Sequence, residues 1–396
     1  MVEDERGLTC ASCGRVFPVA DGIPRLYPLG DGLTIDPSRL RIKTKAAAAR
    51  TISEMTAIDR GLIPAHKAYY LIYVLLVVCV AFQFWWGVAT LMVFLFLDWI
   101  VYRSRRRAAL DRFDSSAPRL QTVADHQAVD DLYEKEGLSQ PSMSDWVELA
   151  REAAGTSTGT PDSPVEDDER YLDIRRVYDR FPRTAEVVVD VGANDGRATW
   201  MFGVGASRAV VGIDVSRLLL QSFLEHLPGQ TALQADGACL PLEDACADFL
   251  FCTETLEHIP DPPAAVREFL RVLKPGGWLM IQSPNAHRLR NLNPFHVVTL
   301  LVSLANDAVL QKKITHENTW HNGITYHWDF SVQDYRGMIH SAGGRVLELR
   351  SAQHFVPRFL TRPGPEAYAA KERILARVPL LRYLGADLVV VAEKLS

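Results

Sequence analysis

Hydrophobic and polar positions follow three different rhythms along this chain. Near the N-terminus, "LTCASCGRVFPVADGIPRLYP" (Leu8 to Pro28) mixes short apolar pairs with Pro and Gly turn signals, which predicts a small β segment. Between Lys67 and Arg103 the polar positions almost vanish: 35 residues carry one charge, Asp98. From Tyr171 onward, short β-branched runs alternate with amphipathic stretches. "EVVVDVG", "AVVGIDVS", "ADFLFCTETLEHI" and "WLMIQSP" read as strands. "RATWMFGVG" opens a helix, and "PAAVREFLRVLKPGG" is a second helix stopped by Pro275-Gly276-Gly277. Such alternation predicts an α/β fold with a parallel sheet, and ligands at the carboxyl ends of its strands.

The apolar run is too long for one upright span. A straight helix of its 35 residues measures about 53 Å, against a hydrocarbon core of roughly 30 Å. Splitting it near Phe84–Gly87 leaves two arms, Ala68–Phe84 and Trp85–Tyr102, each about 26 Å long. Gln83, Trp85, Trp86 and Gly87 suit a turn at an interface. Both flanks are basic: Arg39, Arg41, Lys43, Lys45 and Arg50 before, and Arg103, Arg105, Arg106 and Arg107 after. Positive flanks stay cytoplasmic, so two short spans or a hairpin dipping into one leaflet satisfies both. The expected site is the inner (cytoplasmic) membrane, with the rest of the chain on the cytoplasmic side. The blander alternative is a helical hairpin buried in a soluble core.

Composition refines this picture. The 396 residues are 48% apolar and 23% charged, which fits a globular protein with some membrane-embedded sequence. A net charge of −5 and a pI near 6.1 argue against nucleic acid as a partner. Six scattered cysteines suggest a reducing compartment, and "MVEDERG" lacks the apolar region of a cleavable signal. The expected organisation is a β segment at 1–30, a basic linker at 31–66 and the membrane hairpin at 67–103. A polar linker at 104–168 follows, with short helices and an acidic tether (Gly155 to Glu169). The α/β domain occupies 169–396.

The chemistry gathers at the strand ends. A glycine-rich turn follows the first strand, and an acid, Asp214, ends the second, placed to accept hydrogen bonds from a ribose; alone, these features fit a nicotinamide-binding Rossmann domain as well as others. The turn reads Asp190-Val-Gly192-Ala-Asn194-Asp195-Gly196. Residues 186–284 thereby resemble a class I S-adenosylmethionine-dependent methyltransferase, of the kind related to ubiquinone biosynthesis. That family begins its first motif with an acid followed by x-G-x-G-x-G. Asp190, Gly192 and Gly196 match, and Asn194 replaces the middle glycine, a mild change because asparagine tolerates left-handed backbone. "TETLEHIPDP" and "LRVLKPGGWLMIQSPN" match the motifs of the fourth and fifth strands. "ADLVVVAEK" looks like the family's last strand, inserted antiparallel beside "RVLELR". The resemblance implies a Rossmann-like sheet, parallel with one antiparallel last strand, and S-adenosyl-L-methionine as cosubstrate. It implies that Asp190, Gly192, Asn194, Gly196, Asp214, Asp236 near the adenine, and Thr253 form the cosubstrate site.

The resemblance also locates an acceptor side. His258 in "ETLEH" and His327 in "ITYHWDFS" are the candidate catalytic bases, set against plain packing roles. The same "ExxEH" letters accompany a divalent metal in ubiquinone-pathway relatives, through Glu254, Glu257 and His258; no metal ligand is assigned. "NPFHVVTLLVSLANDAVLQKK" reads as a loop and helix inserted on the acceptor side, and Ser331 as a helix cap. Residues 8–28 resemble the second half of a Trm112-like zinc ribbon. Cys10 and Cys13 provide two of the four ligands a structural zinc needs. That likeness makes residues 1–30 a candidate dock for a protein partner. The expected function is methylation of a lipid, quinone-precursor or lipid-linked glycan acceptor at a membrane. A small-molecule or glycan methyltransferase merely localised by the hairpin, and a non-catalytic binding subunit, are the competing readings.

Overall fold

The computed structural model describes residues 2–4, 7–9, 16–26, 33–34, 62, 66–113, 120–142, 145, 169–182, 184–201, 209–289, 293–310, 327–353, 370, 374–375, 377–378 and 381–396. Strands β1 (Val2–Asp4), β2 (Gly7–Thr9) and β3 (Val16–Phe17) form a small antiparallel sheet, and β4 (Val19–Ala20) pairs with β5 (Ile23–Pro24). Cys10 and Cys13 lie outside the described residues. The segment folds back onto its own chain. Ile23 packs against Leu220 and Phe223, and the Leu26 amide donates to the Gln234 carbonyl at 2.8 Å. This covers an otherwise open sheet edge.

Two helices follow as a hairpin, α1 (His66–Ala81) and α2 (Trp85–Phe113). The turn is Phe82–Phe84, with Gln83 in the left-handed region (φ 53°). It comes earlier than the expected Phe84–Gly87, because Trp85, Trp86 and Gly87 already belong to α2. A Cβ on Gly87 would stand 2.7 Å from Cys79 Sγ, so glycine here serves close packing of the arms rather than the reversal. Tyr69, Ile72 and Leu95 are buried between the arms. The basic flank continues α2 without a break.

Helix α3 (Val123–Lys135) starts with a capping box, in which Thr122 accepts from the Asp125 amide and Asp125 from the Thr122 amide. Residues 155–168 of the acidic tether lie outside the described residues, and α4 (Glu169–Tyr178) begins directly after them. The α/β domain then runs β6 (Val187–Val191), α5 (Arg197–Met201), β7 (Ala209–Asp214), α6 (Arg217–His226), β8 (Thr231–Gln234), β9 (Ala247–Thr253), α7 (Pro262–Val272), β10 (Leu273–Pro284), α8 (Pro294–Leu310), α9 (Val332–Ser341), β11 (Gly344–Ala352) and β12 (Asp387–Lys394). The seven strands order as β11-β12-β10-β9-β6-β7-β8. β12 is antiparallel to both neighbours and the four pairings from β10 to β8 are parallel, as the resemblance implied.

Every residue of β9 is buried, because helices cover both faces of the sheet. Leu250 and Cys252 point into one core with Phe269 and Ile281. Phe249 and Phe251 point into the other, with Tyr178 and Phe181 of the α4 region. One boundary differs from the sequence reading. α7 ends at Val272, and Pro275-Gly276-Gly277 forms a register irregularity inside β10 instead of the helix stop. Gly277 allows this: a Cβ there would sit 3.0 Å from the Asp248 carbonyl oxygen, so the backbones approach closely.

Candidate active site

The strand ends β6, β7, β8 and β9 converge on a cavity of about 550 Å³, counting its open mouth. Its shape starts at the turn after β6. Gly192 and Gly196 both have φ of 80°, and Asn194 has φ of 48°, the left-handed conformation that asparagine was expected to accept. A Cβ on Gly192 would lie 2.0 Å from Thr255 Oγ1, so the turn and the β9 loop touch through bare backbone. The Gly192 and Ala193 amides donate to the Ile213 carbonyl, at 2.7 and 3.0 Å. The Asn194 amide donates to Asp214 Oδ2 at 3.0 Å, and the Ser216 amide to Oδ1 at 2.9 Å. The first turn is thus strapped to the second strand.

The predicted residues divide by this geometry. Gly192, Asp214, Asp236 and His258 line the cavity. Asp190, Asn194, Gly196 and Thr253 are not among its lining. Asp190 is buried beneath the turn and accepts from the Thr199 hydroxyl of α5. Burial pushes its carboxyl up to about 7, with the Thr199 hydrogen bond opposing and the charges of Asp214 and Asp195 adding. Gly196 packs against Phe223 and Leu227. Thr253 uses its carbonyl to hold the Thr255 hydroxyl at 3.0 Å, and Thr255 is the threonine on the cavity wall. Burial also raises the Asp214 carboxyl, against the backbone amides it accepts from. Asp236 Oδ1 accepts from the Ala238 amide at 2.8 Å.

Part of the wall comes from the supposed linker. Gln121, Thr122, Val123 and His126, at the start of α3, close the cavity opposite Asp214 and His258. The far end of α3 is fastened by Asp130, which accepts from the Ser216 hydroxyl (2.8 Å) and the Arg217 amide (2.7 Å). Arg217 also pairs with Glu134 and with Asp21 of the N-terminal segment. Sequence reasoning missed these residues because a polar helix outside the sheet pattern carries no ligand signal. The Thr122–Asp125 capping pair was the readable hint that the helix is real.

The two histidines chosen as bases stand together although 69 positions apart, their ring centroids 5.3 Å from each other. His258 faces the cavity, and His327, 2% exposed, stands behind it. His327 Nε2 lies 4.0 Å from Asp329 Oδ1, and Asp329 accepts from Arg288 at 3.0 Å. Glu257, buried beside them, has its carboxyl raised well above the carboxylate range by desolvation. Glu257, His258 and His327 each offer a donor atom within 4.8 Å of the others, a trio able to hold a divalent ion; Glu254 is not part of it. Ser331 caps α9 as expected, in a capping box with Asp334.

Residues 189–281 match the family model described as "Methyltransferase domain". The chain is 34% identical over 185 residues to a protein of Mycobacterium tuberculosis named "Probable S-adenosylmethionine-dependent methyltransferase", covering 43% of this chain and 66% of that one. The chain therefore spans slightly less than two thirds of that relative. It is 37% identical over 121 residues to a "Ubiquinone biosynthesis O-methyltransferase" of Thiobacillus denitrificans, covering 29% of this chain and 51% of the relative. Among solved structures, a methyltransferase complex with its Trm112 activator from Haloferax volcanii aligns at 19% identity and TM-score 0.40, over 58% of this chain and 91% of that one. The α/β domain is a class I methyltransferase domain, and the cosubstrate of that class is S-adenosylmethionine. The lining suits it: carboxylates at the ends of β7 and β8, Asp214 and Asp236, border the same cavity as the bare-backbone turn at Gly192.

His126, on the cavity wall, gives the packing of α3 an expected pH dependence. Burial pushes its imidazole down to about 4, with Asp125 opposing and His258 reinforcing the shift. An unfolded imidazole titrates near ~6.5, so below that pH the released α3 takes up a proton that the packed α3 does not. Packing of α3 should weaken as pH falls from about 6.5 to about 4. Amide exchange across 123–135, corrected for intrinsic rates, should speed up over this window through His126, and His126→Gln should remove that acceleration, leaving the opposite trend from Asp130, whose carboxyl burial raises to about 6. A profile unchanged by the substitution contradicts the assignment.

Proposed function

We propose that this protein is an S-adenosylmethionine-dependent methyltransferase held at the cytoplasmic face of a membrane, acting on a membrane-resident acceptor: a lipid, a quinone precursor or a lipid-linked glycan. The observation that carries the membrane half is the surface of the hairpin. Sixteen large apolar side chains between Leu71 and Ile100 are exposed, Trp86 to 82%, far more than a water-facing surface sustains. Trp85–Ala108 is long and apolar enough to cross a membrane, and Ala68–Ala81 is shorter. The Leu62 amide reaches Asp98 at the foot of α2, so the chain enters and leaves the hairpin at the same end. With Arg103, Arg105, Arg106 and Arg107 following, that end is the cytoplasmic one.

For the chemistry, Asp214 is assigned to the ribose hydroxyls and Asp236 to the adenine side. When bound, S-adenosylmethionine supplies an electrophilic methyl group. The chain's own work is to position the acceptor and to take its proton. His258 is the base that meets the cavity. His327, held near Asp329, sits where it can accept that proton onward or steady the His258 ring. The identity with the relative named as an O-methyltransferase supports a hydroxyl acceptor.

Membranes incubated with the full-length protein and methyl-labelled S-adenosylmethionine should yield label in the organic extract. Label confined to water-soluble products would favour a hairpin that only localises the enzyme, and no transfer at all a binding subunit. Asp214→Ala should weaken S-adenosylmethionine binding by about 1.5–3 kcal/mol, the worth of a hydrogen bond to a charged group. Calorimetry should use the chain with α3 present, since α3 forms part of the wall; unchanged affinity would mean the carboxylate is misassigned. His258→Ala should lower turnover about 10²–10⁴-fold with cosubstrate affinity nearly intact, and His327→Ala should do so to a smaller degree. Full activity in the double variant removes both from the reaction.

A further inference from the structure

We propose that α8, the helix inserted on the acceptor side, is a third bilayer-contacting element, clamped beside the hairpin by Asp98 and Asn293. The inference rests on the membrane reading above and extends it to the acceptor side. Pro294–Asn306 contains no charged residue. Val298 and Val302, four residues apart and so on one helix face, are 59% and 55% exposed. Thr299, between them, turns its hydroxyl back to the Phe295 carbonyl at 2.8 Å, which satisfies it without water.

The first turn of α8 rests on the hairpin. Phe295 meets Phe96 edge-on at 5.3 Å, and His296 meets Tyr102 at 5.6 Å. Asn293 is the hinge point. Its Oδ1 accepts from the Phe295 amide at 3.0 Å and so caps α8, with Pro294 in the first helical position. Its Nδ2 donates to the Leu95 carbonyl at 2.7 Å and to Asp98 Oδ2 at 2.9 Å. Asp98 is 0% exposed and also accepts from Tyr69 (2.5 Å) and the Leu62 amide (2.6 Å). The single acid of the apolar run therefore joins both arms of the hairpin to the start of α8.

The occupant of the exposed α8 face is the boundary between headgroups and acyl chains of an anionic bilayer. Two observations select it. The first turn of α8 packs through Phe295 on Phe96 and Trp99 of the apolar part of α2, and the contact of His296 with Tyr102 sets α8 at the level where Arg103 to Arg107 begin, as headgroup attraction requires. Arg103 already lies over the Trp99 ring at 5.0 Å, a pairing suited to an interface. The same helix is close to the chemistry in sequence and space: Asn293 follows five residues after Arg288, which pairs with Asp329 beside His327. An amphiphilic acceptor could keep its tail in the bilayer along α8 while its head reaches the histidines.

The test uses the full chain, with native cysteines replaced by serine, in vesicles of phosphatidylcholine and phosphatidylglycerol. Val302→Cys and, on the hairpin, Val93→Cys carry an environment-sensitive fluorophore. Acyl-brominated lipid should quench both by about two-fold or more, and aqueous iodide should quench neither strongly. Quenching by bromolipid at 93 with iodide quenching at 302 overturns the proposal and leaves the hairpin standing. Shielding of 302 from both quenchers overturns it in favour of a protein contact. Absence of bromolipid quenching at 93 overturns the membrane reading itself. Asn293→Ala should reduce the bromolipid effect at 302 and leave that at 93. The unaltered chain offers a check free of cysteine replacement: a photoactivatable phospholipid should label peptides from 294–306 as well as from 85–102, and labelling of the hairpin alone counts against α8.

Discussion

Everything in the cavity depends on how the turn after β6 is strapped to β7. Three amides of that turn, from Gly192, Ala193 and Asn194, are spent on the Ile213 carbonyl and the Asp214 carboxylate. Gly192 and Asn194 present theirs from the left-handed region, and only a residue without Cβ can pass Thr255 at that distance. The strap holds Asp214 in one orientation, opens space above β6 and leaves the β9 loop with its histidine as the facing wall. Asp190 supports the arrangement from below as a buried, hydrogen-bonded group rather than as a wall residue.

A second constraint operates at the other end of the molecule. A carboxylate within an apolar hairpin is costly unless every oxygen is paired. Asp98 meets that condition with one donor from each of three places: the approach to the hairpin, its first arm, and the loop before α8. The result is a fixed relation between the hairpin and the acceptor side. The basic stretch that follows in α2 prolongs the same helix out of the apolar region, and α3, which resumes within a few residues, closes the cavity. The apolar hairpin and the α3 wall of the active site thus follow one another along the chain, while the facing wall comes from the strand ends.

The N-terminal segment adds a third element to this arrangement. Its Ile23 and Leu26 cover the β8 edge, and Asp21 joins the Arg217 cluster that also holds α3.

Local pattern was enough for much of this. Alternating β-branched runs, the Gly192–Gly196 turn, the acid at 214 and the long uncharged run each depend on residues within a few positions of one another. Strands, the cosubstrate end of the sheet and the helical hairpin could therefore be read directly. The pairing of His258 with His327 was legible only as two separate candidates, and the sheet order brought them within ring contact. Boundaries were decided by packing. Close approach at Gly87 kept Trp85 and Trp86 helical, and Gly277, hard against Asp248, kept the Pro-Gly-Gly stretch inside β10. What the sequence could not indicate was that α3 walls the cavity, that Thr255 replaces Thr253 on its surface, or that Asp98 joins Asn293 across 195 positions. Those contacts arise because polar groups far apart in the chain must find partners once burial removes water, and only the folded arrangement settles which ones meet.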